Sequence, residues 1–199
     1  MLPKAPGSAL LIILIFAGSH LHAQERIDAQ ASVNEELWKA EAEIQLLQCG
    51  TLDSLNVAMR AWGRLKAILP AIAEDAGLRM RVERDMSPLE EFLGERDLQI
   101  ANLYLDRERG STRGAQIRLL HITREYPDFS KIDEVLFRLS DVSLREDDRD
   151  QASTYLYRLV CRYPGSLHAK AAFERLNEIG FYAIEGCDKY KKKELPESR

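Results

Sequence analysis

Three cysteines (Cys49, Cys161, Cys187) and four histidines (His20, His22, His121, His168) are the side chains best suited to redox, nucleophilic or metal chemistry in this 199-residue chain. Their placement supports little of it. The histidines stand singly in separate segments or within the first 23 residues, and neither a His-Glu-x-x-His nor a paired-cysteine spacing occurs. Gly110 and Gly114 read as turn residues, without the Lys-Ser/Thr that completes a phosphate loop. Glu90-Glu91 and Asp147-Asp148 are paired carboxylates, but each falls at an expected helix start, where negative charge complements the helix dipole. Arg79, Arg81 and Arg84 form a basic strip that reads as a polar helix face. No catalytic, cofactor-binding or metal-ligating set emerges, so the chain is expected to act by binding, not by catalysis.

Composition agrees. The formal charge is −4 with a pI near 5.7, and 45% of residues are hydrophobic. These values disfavour both a nucleic-acid binder, which needs clustered Lys and Arg, and a disordered chain. Residues 1–23 read as a secretory signal: Lys4, then the uncharged run Ala9–Ala17, then Leu21-His22-Ala23 before Gln24. The run is too short for a membrane span, which takes about 20 apolar residues. No cysteine lies near the cut, so no lipid is expected there. An exported, periplasmic product follows, peripheral to the outer membrane if attached at all. An odd number of cysteines in an oxidising compartment permits one disulfide, with the pairing open. Cys161, beside Leu159 and Val160, reads as a small buried hydrophobe.

The elements that must carry any binding surface are helical throughout, with no alternating stretch that would make a strand. Ser32 with Glu35 predicts a start, followed by Leu37, Ala40, Ile44 and Leu47 and a stop at Gly50. A second helix from about Asp53 carries Leu55, Met59, Trp62, Leu65 and Leu69 on one face and breaks at Pro70. Further starts are expected at Ser87-Pro88-Leu89-Glu90, at Ser130 with Asp133, and at Asp148 with Gln151. A recurrence runs through them: Ala76-x-x-x-Met80, Ala115-x-x-x-Leu119 and Ala152-x-x-x-Leu156 each lead, twelve residues after the alanine, to Pro88, Pro127 and Pro164. The alanine suits close approach of two helices, the residue four later fills their interface, and the proline ends the second helix. A period near 37 to 39 residues in a helical chain means stacked helix pairs. The pairs would be residues 53–86, 88–127 and 130–164, closed by a helix at Ala171–Gly180. Asp97 stands where a large apolar residue is expected, and Arg109–Thr112 lengthens one turn. The expected organisation is therefore a signal peptide (1–23), a linker and capping helix (24–52), tetratricopeptide-like repeats (53–180) and a charged C-terminal helix or tail (181–199). The fold class is all-α, a tetratricopeptide-like helical-hairpin repeat array, or α-solenoid.

Leu98-Gln-Ile-Ala-Asn-Leu-Tyr-Leu105, Ala115 to Tyr126-Pro127, Asp133-Glu-Val-Leu-Phe-Arg-Leu139 and Tyr163-Pro164-Gly165-Ser166 together resemble the BamD-like family, periplasmic tetratricopeptide proteins of outer-membrane β-barrel assembly. The likeness covers about residues 60–180. It departs from the family in lacking a lipobox cysteine and in a truncated fourth repeat. The resemblance implies a non-enzymatic adaptor without cofactor that binds extended peptide segments or partner proteins, including the barrel-assembly machinery, on a concave face. The alternative is a periplasmic scaffold for cell-wall or division machinery. By repeat position the candidate partner-binding residues are Leu98, Asn102, Leu105, Phe137, Asp141 and Leu144. Leu105 and Phe137 equally suit the inter-repeat core, and Asn102 and Asp141 suit plain solvation.

Overall fold

The structure is a computed structural model describing residues 7–50, 53–106, 111–181 and 187, with side chains from residue 25 onward. The side chains of the expected signal segment, residues 109 and 110 of the lengthened turn, and residues 182–186 and 188–199 of the expected C-terminal tail lie outside it. Seven helices and no strand are found among the described residues: α1 (Gly7–Gln48), α2 (Ser54–Ile68), α3 (Ala76–Asp106), α4 (Thr112–Glu125), α5 (Ile132–Arg145), α6 (Arg149–Arg162) and α7 (Ala169–Glu178). The protein is all-α. It divides into two compact units, Met1–Leu89 and Glu90–Arg199.

Two expected helix starts are overturned. No helix begins at Ser32, because α1 already runs from Gly7. The preceding residues 24–31 hold no glycine or proline, so nothing interrupts helix propagation into the cap sequence. Nor does one begin at Ser87-Pro88: α3 passes through Pro88. Proline there removes one backbone hydrogen bond, at a cost of about 3 kcal/mol. Val82, Met86 and Leu89, all buried and spaced four and three apart, flank exposed Pro88 and hold the turn on both sides.

In the first unit α1 and α2 pack through alanines interleaved with larger apolar side chains. Val33, Leu37 and Ala40 of α1 are buried, as are Val57, Ala58, Ala61, Leu65 and Ile68 of α2. The α2 face is therefore not the one expected. Met59 is 54% exposed, while Ala58 and Ala61 are fully enclosed, because alanine lets the helix backbones approach where a longer side chain would hold them apart. Flanking charges bridge the pair: Arg60 to Glu43 at 3.0 Å, and Arg64 to Glu36 at 2.5 Å and Glu43 at 3.2 Å. Ala76 and Met80 are exposed, Met80 at 67%. In the first of the three alanine-to-proline stretches the alanine and the residue four later thus face outward, and Val82 and Met86 carry its burial instead.

The second unit is built from larger apolar side chains. Ala115, Leu119 and Ile122 of α4 and Ala152, Leu156 and Leu159 of α6 are all fully buried, each member of the second set lying 37 residues after its counterpart. Both helices end where expected, capped by Tyr126 and Tyr163 before Pro127 and Pro164. On α5, Val135, Leu136, Leu139, Ser140 and Ser143 are buried, and the serines donate to the carbonyls of Phe137 (2.6 Å) and Leu139 (3.0 Å) of their own helix.

The short α5–α6 turn uses the expected acids as caps. Asp147 takes a left-handed backbone (φ 59°), the Asp148 N–H donates to Ser143 O at 2.9 Å, and the Asp148 carboxylate accepts from Gln151 N–H at 2.9 Å. That is a Schellman stop followed at once by an N-cap. Gly180 (φ 88°) ends α7 in the same way, with the Phe181 N–H donating to Leu176 O at 2.9 Å. Start positions are less sharp at α5, which begins at Ile132 after Lys131 and not at Ser130. Gly114 lies inside the first turn of α4, where a Cβ would sit 3.3 Å from Tyr104.

Candidate functional site

Successive elements of the second unit are tied at intervals close to the sequence period. Ser130, in the turn after Tyr126-Pro127, donates its N–H at 3.0 Å and its hydroxyl to the carboxylate of Glu91. Ser166, in the turn after Tyr163-Pro164, donates its hydroxyl to Asp133 at 2.5 Å. In both cases a turn serine reaches an acid 39 or 33 residues earlier, on α3 and in the first turn of α5 respectively. Lys131 pairs with Glu95 at 2.6 Å, Arg145 donates to Leu105 O at 3.2 Å, and Arg175 pairs with Asp141. The Lys131 hydrogen bond, against the cost of burial, holds the Glu95 carboxyl below its ordinary value.

The six expected partner-binding residues are placed unequally. Leu98 and Leu105 are buried at 2% and 6% exposure, their side chains engaged in the core. Asn102 is half-buried, and its Oδ1 is enclosed with no hydrogen-bond partner. Phe137 is half-buried beneath the Arg175 guanidinium, 4.6 Å from the ring centre, and stacks on His168 at 5.1 Å. Asp141 is half-buried and engaged by the same Arg175, which brings Phe137 and Asp141 together. Leu144 is half-buried further along α5.

The odd acid at 97 has a structural answer. Asp97 is 7% exposed, and its carboxylate accepts from Arg118 Nη1 at 2.9 Å and pairs with His121 Nδ1 at 2.8 Å. Arg118 and His121 are one turn apart on α4, so a single buried acid binds both. Tyr126 meets the His121 ring edge-on at 5.4 Å. Burial, followed by the Asp97 charge, pushes its phenol well above the ordinary tyrosine range. This aspartate–histidine pair resembles part of a catalytic triad, with the Tyr126 ring and not a serine or cysteine packed on the imidazole.

Cys161 is not a buried free thiol. It forms a disulfide with Cys187, while Cys49 is free and exposed. Four residues before Cys161, Tyr157 meets Phe181 edge-on at 6.4 Å. The chain after α7 is thus held on α6 by one aromatic and one covalent contact. Among the described residues no three His, Cys, Asp or Glu side chains gather as a metal site, and no helix is long and apolar enough to cross a membrane.

Spacing alone pointed to neither Arg175 nor the disulfide. Arg175-Leu176 of α7 repeats Arg138-Leu139 of α5 37 residues on, which was the available signal. No family model matches the chain, and no curated protein or solved structure is similar to it.

Proposed function

We propose that this protein is an exported, non-enzymatic adaptor that holds extended polypeptide on a face formed by tetratricopeptide-like helix pairs, in the service of outer-membrane β-barrel assembly. One observation carries the reading: turn serines after both Tyr-Pro sequences tie back to acids of the preceding pair, Ser130 to Glu91 and Ser166 to Asp133. Repeated ties of this kind stack hairpins in register, and stacked hairpins offer an extended groove for a peptide. The Cys161–Cys187 disulfide supports export, since such bonds persist in oxidising compartments. Asn102 and Leu144, both half-buried, leave part of their side chains for such a groove.

A second reading, a periplasmic scaffold for cell-wall or division machinery, is favoured by position 24 being glutamine and not a lipid-bearing cysteine. Affinity capture with the tagged chain from detergent-solubilised envelopes separates the two. Recovery of the barrel-assembly core with unfolded barrel proteins supports the adaptor. Recovery of soluble cell-wall factors alone supports the scaffold, and turnover of a small molecule without any captured polypeptide contradicts both.

A further inference from the structure

Five arginines are half-buried among the described residues: Arg64, Arg138, Arg158, Arg162 and Arg175. Three have carboxylate partners, Arg64 with Glu36 and Glu43, Arg138 with Glu134, and Arg175 with Asp141. The two without any ion pair or hydrogen bond to a described residue are neighbours, Arg158 and Arg162, one turn apart on α6. A half-buried charge normally has a counter-charge, because desolvation is costly without one. Here the surroundings make matters worse. Burial chiefly, then repulsion from Arg162, holds the Arg158 guanidinium below its ordinary value, and the groups acting in the other direction are the Tyr163 and Tyr155 phenols, with no acid among them. Two guanidiniums one turn apart on one helix flank, with Tyr155 one turn before Arg158 and Tyr163 capping the helix, carry the forked donors that match a planar carboxylate.

We propose that Arg158 and Arg162, with Tyr155 and Tyr163 at their edges, form a carboxylate-binding site on α6 that engages an acidic residue or the C-terminus of a bound polypeptide. The polypeptide ligand rests on the adaptor reading above; the site itself is an addition to it. Bound carboxylate supplies the counter-charge that the described residues do not.

Fluorescence anisotropy tests this on the full chain, using a labelled hexapeptide ending in Asp-Glu with a free C-terminus, its amidated Asn-Gln counterpart, and inorganic phosphate. The acidic peptide is expected to bind, and the neutral one to bind at least about tenfold more weakly. Arg158→Gln and Arg162→Gln each lower affinity for the acidic peptide about tenfold. Arg124→Gln, which removes an exposed arginine, changes it less than about twofold, as a purely long-range charge does in salt. Should Arg158→Gln unfold the protein, Arg162→Gln alone decides the matter. Equal losses in the Arg124 control, or phosphate binding without acidic-peptide binding, would overturn the proposal. So would envelope capture of extended polypeptide that both arginine variants retain undiminished, a result that leaves the adaptor reading standing. Absence of any captured polypeptide would instead strike that reading.

Discussion

The two units solve the problem of joining helices with different materials. Between α1 and α2, Ala40, Ala58, Ala61 and Leu65 are fully buried with Val33, Leu37, Val57 and Ile68 beside them, and charge bridges on Glu36 and Glu43 run alongside. In the second unit Leu119, Ile122, Leu136, Leu139, Leu156 and Leu159 are fully enclosed. A buried leucine contributes about 1.5–3 kcal/mol, whereas an exposed ion pair contributes less than about 1. The second unit is therefore expected to be the stabler, and the first to depend on salt. Small side chains let backbones approach closely, and that proximity is what brings long Arg and Glu side chains into register at the flanks.

Substitutions can break this contrast, beginning with the largest effect. Leu156→Ala should cost about 3 kcal/mol in urea denaturation, since a fully buried leucine leaves a cavity. Cys161→Ser should cost about 2–3 kcal/mol by freeing the chain held at Cys187. The same loss should follow from reduction of the wild type, and none should be added by reducing the variant. Gly94→Ala should cost about 2 kcal/mol, because its Cβ would meet the Phe129 ring at 2.8 Å and that ring is itself buried. Adding Phe129→Leu should recover part of this loss, which a simple helix-propensity effect would not allow.

Smaller effects sharpen the same contrast. Arg64→Gln should raise amide exchange in α1 and α2 at low salt, and the difference from wild type should shrink at about 1 M salt, where the screening length is a few ångströms. Loss of protection in α5–α6 instead would contradict the division of labour. Acid weakens both units through different pairs. Glu95 is held below its ordinary value of 4.5 by Lys131, and Glu36 likewise by Arg64 and then Lys39. A carboxyl whose folded value is depressed stabilises fully above its unfolded value and ceases to do so as pH falls through the folded one. Stability should therefore decline below about pH 4.5, and Lys131→Met should flatten that decline in exchange protection around α5.

Much of the helical content was legible because its signals are local. Gly50 and Gly180 end helices as glycine at a left-handed stop should, and Asp148 caps α6 through its own side chain. Ala115 and Ala152 were legible because recurrence at one spacing identifies a shared role that hydrophobicity alone does not. The same local signals misled at Ser32 and Ser87-Pro88, where a cap sequence sits inside a stretch that stays helical on both sides. They misled again on α2, where Met59 and Trp62 outweigh alanine in apolarity although the interface selects for small size. Ala76 and Met80 matched the recurrent spacing by sequence while lying exposed. Of the candidate partner-binding residues, Leu98 and Leu105 are buried in the core while Asn102 and Leu144 lie half-buried, a difference that repeat position alone does not show. The grip of Arg175 on Asp141 and Phe137, and the pairing of Cys161 with Cys187, join residues separated by 26 to 38 positions and depend on packing that no short window contains.

Site-specific photo-crosslinking tests the central claim most directly. A benzophenone side chain placed at Asn102 or Leu144, in the full chain expressed and irradiated in intact cells, should trap extended barrel-protein segments. The same group at Ile117, exposed at 57% on α4, should trap little. Equal yields from all three positions, or adducts from Ile117 alone, would contradict an account in which the first helices of each pair present the binding face.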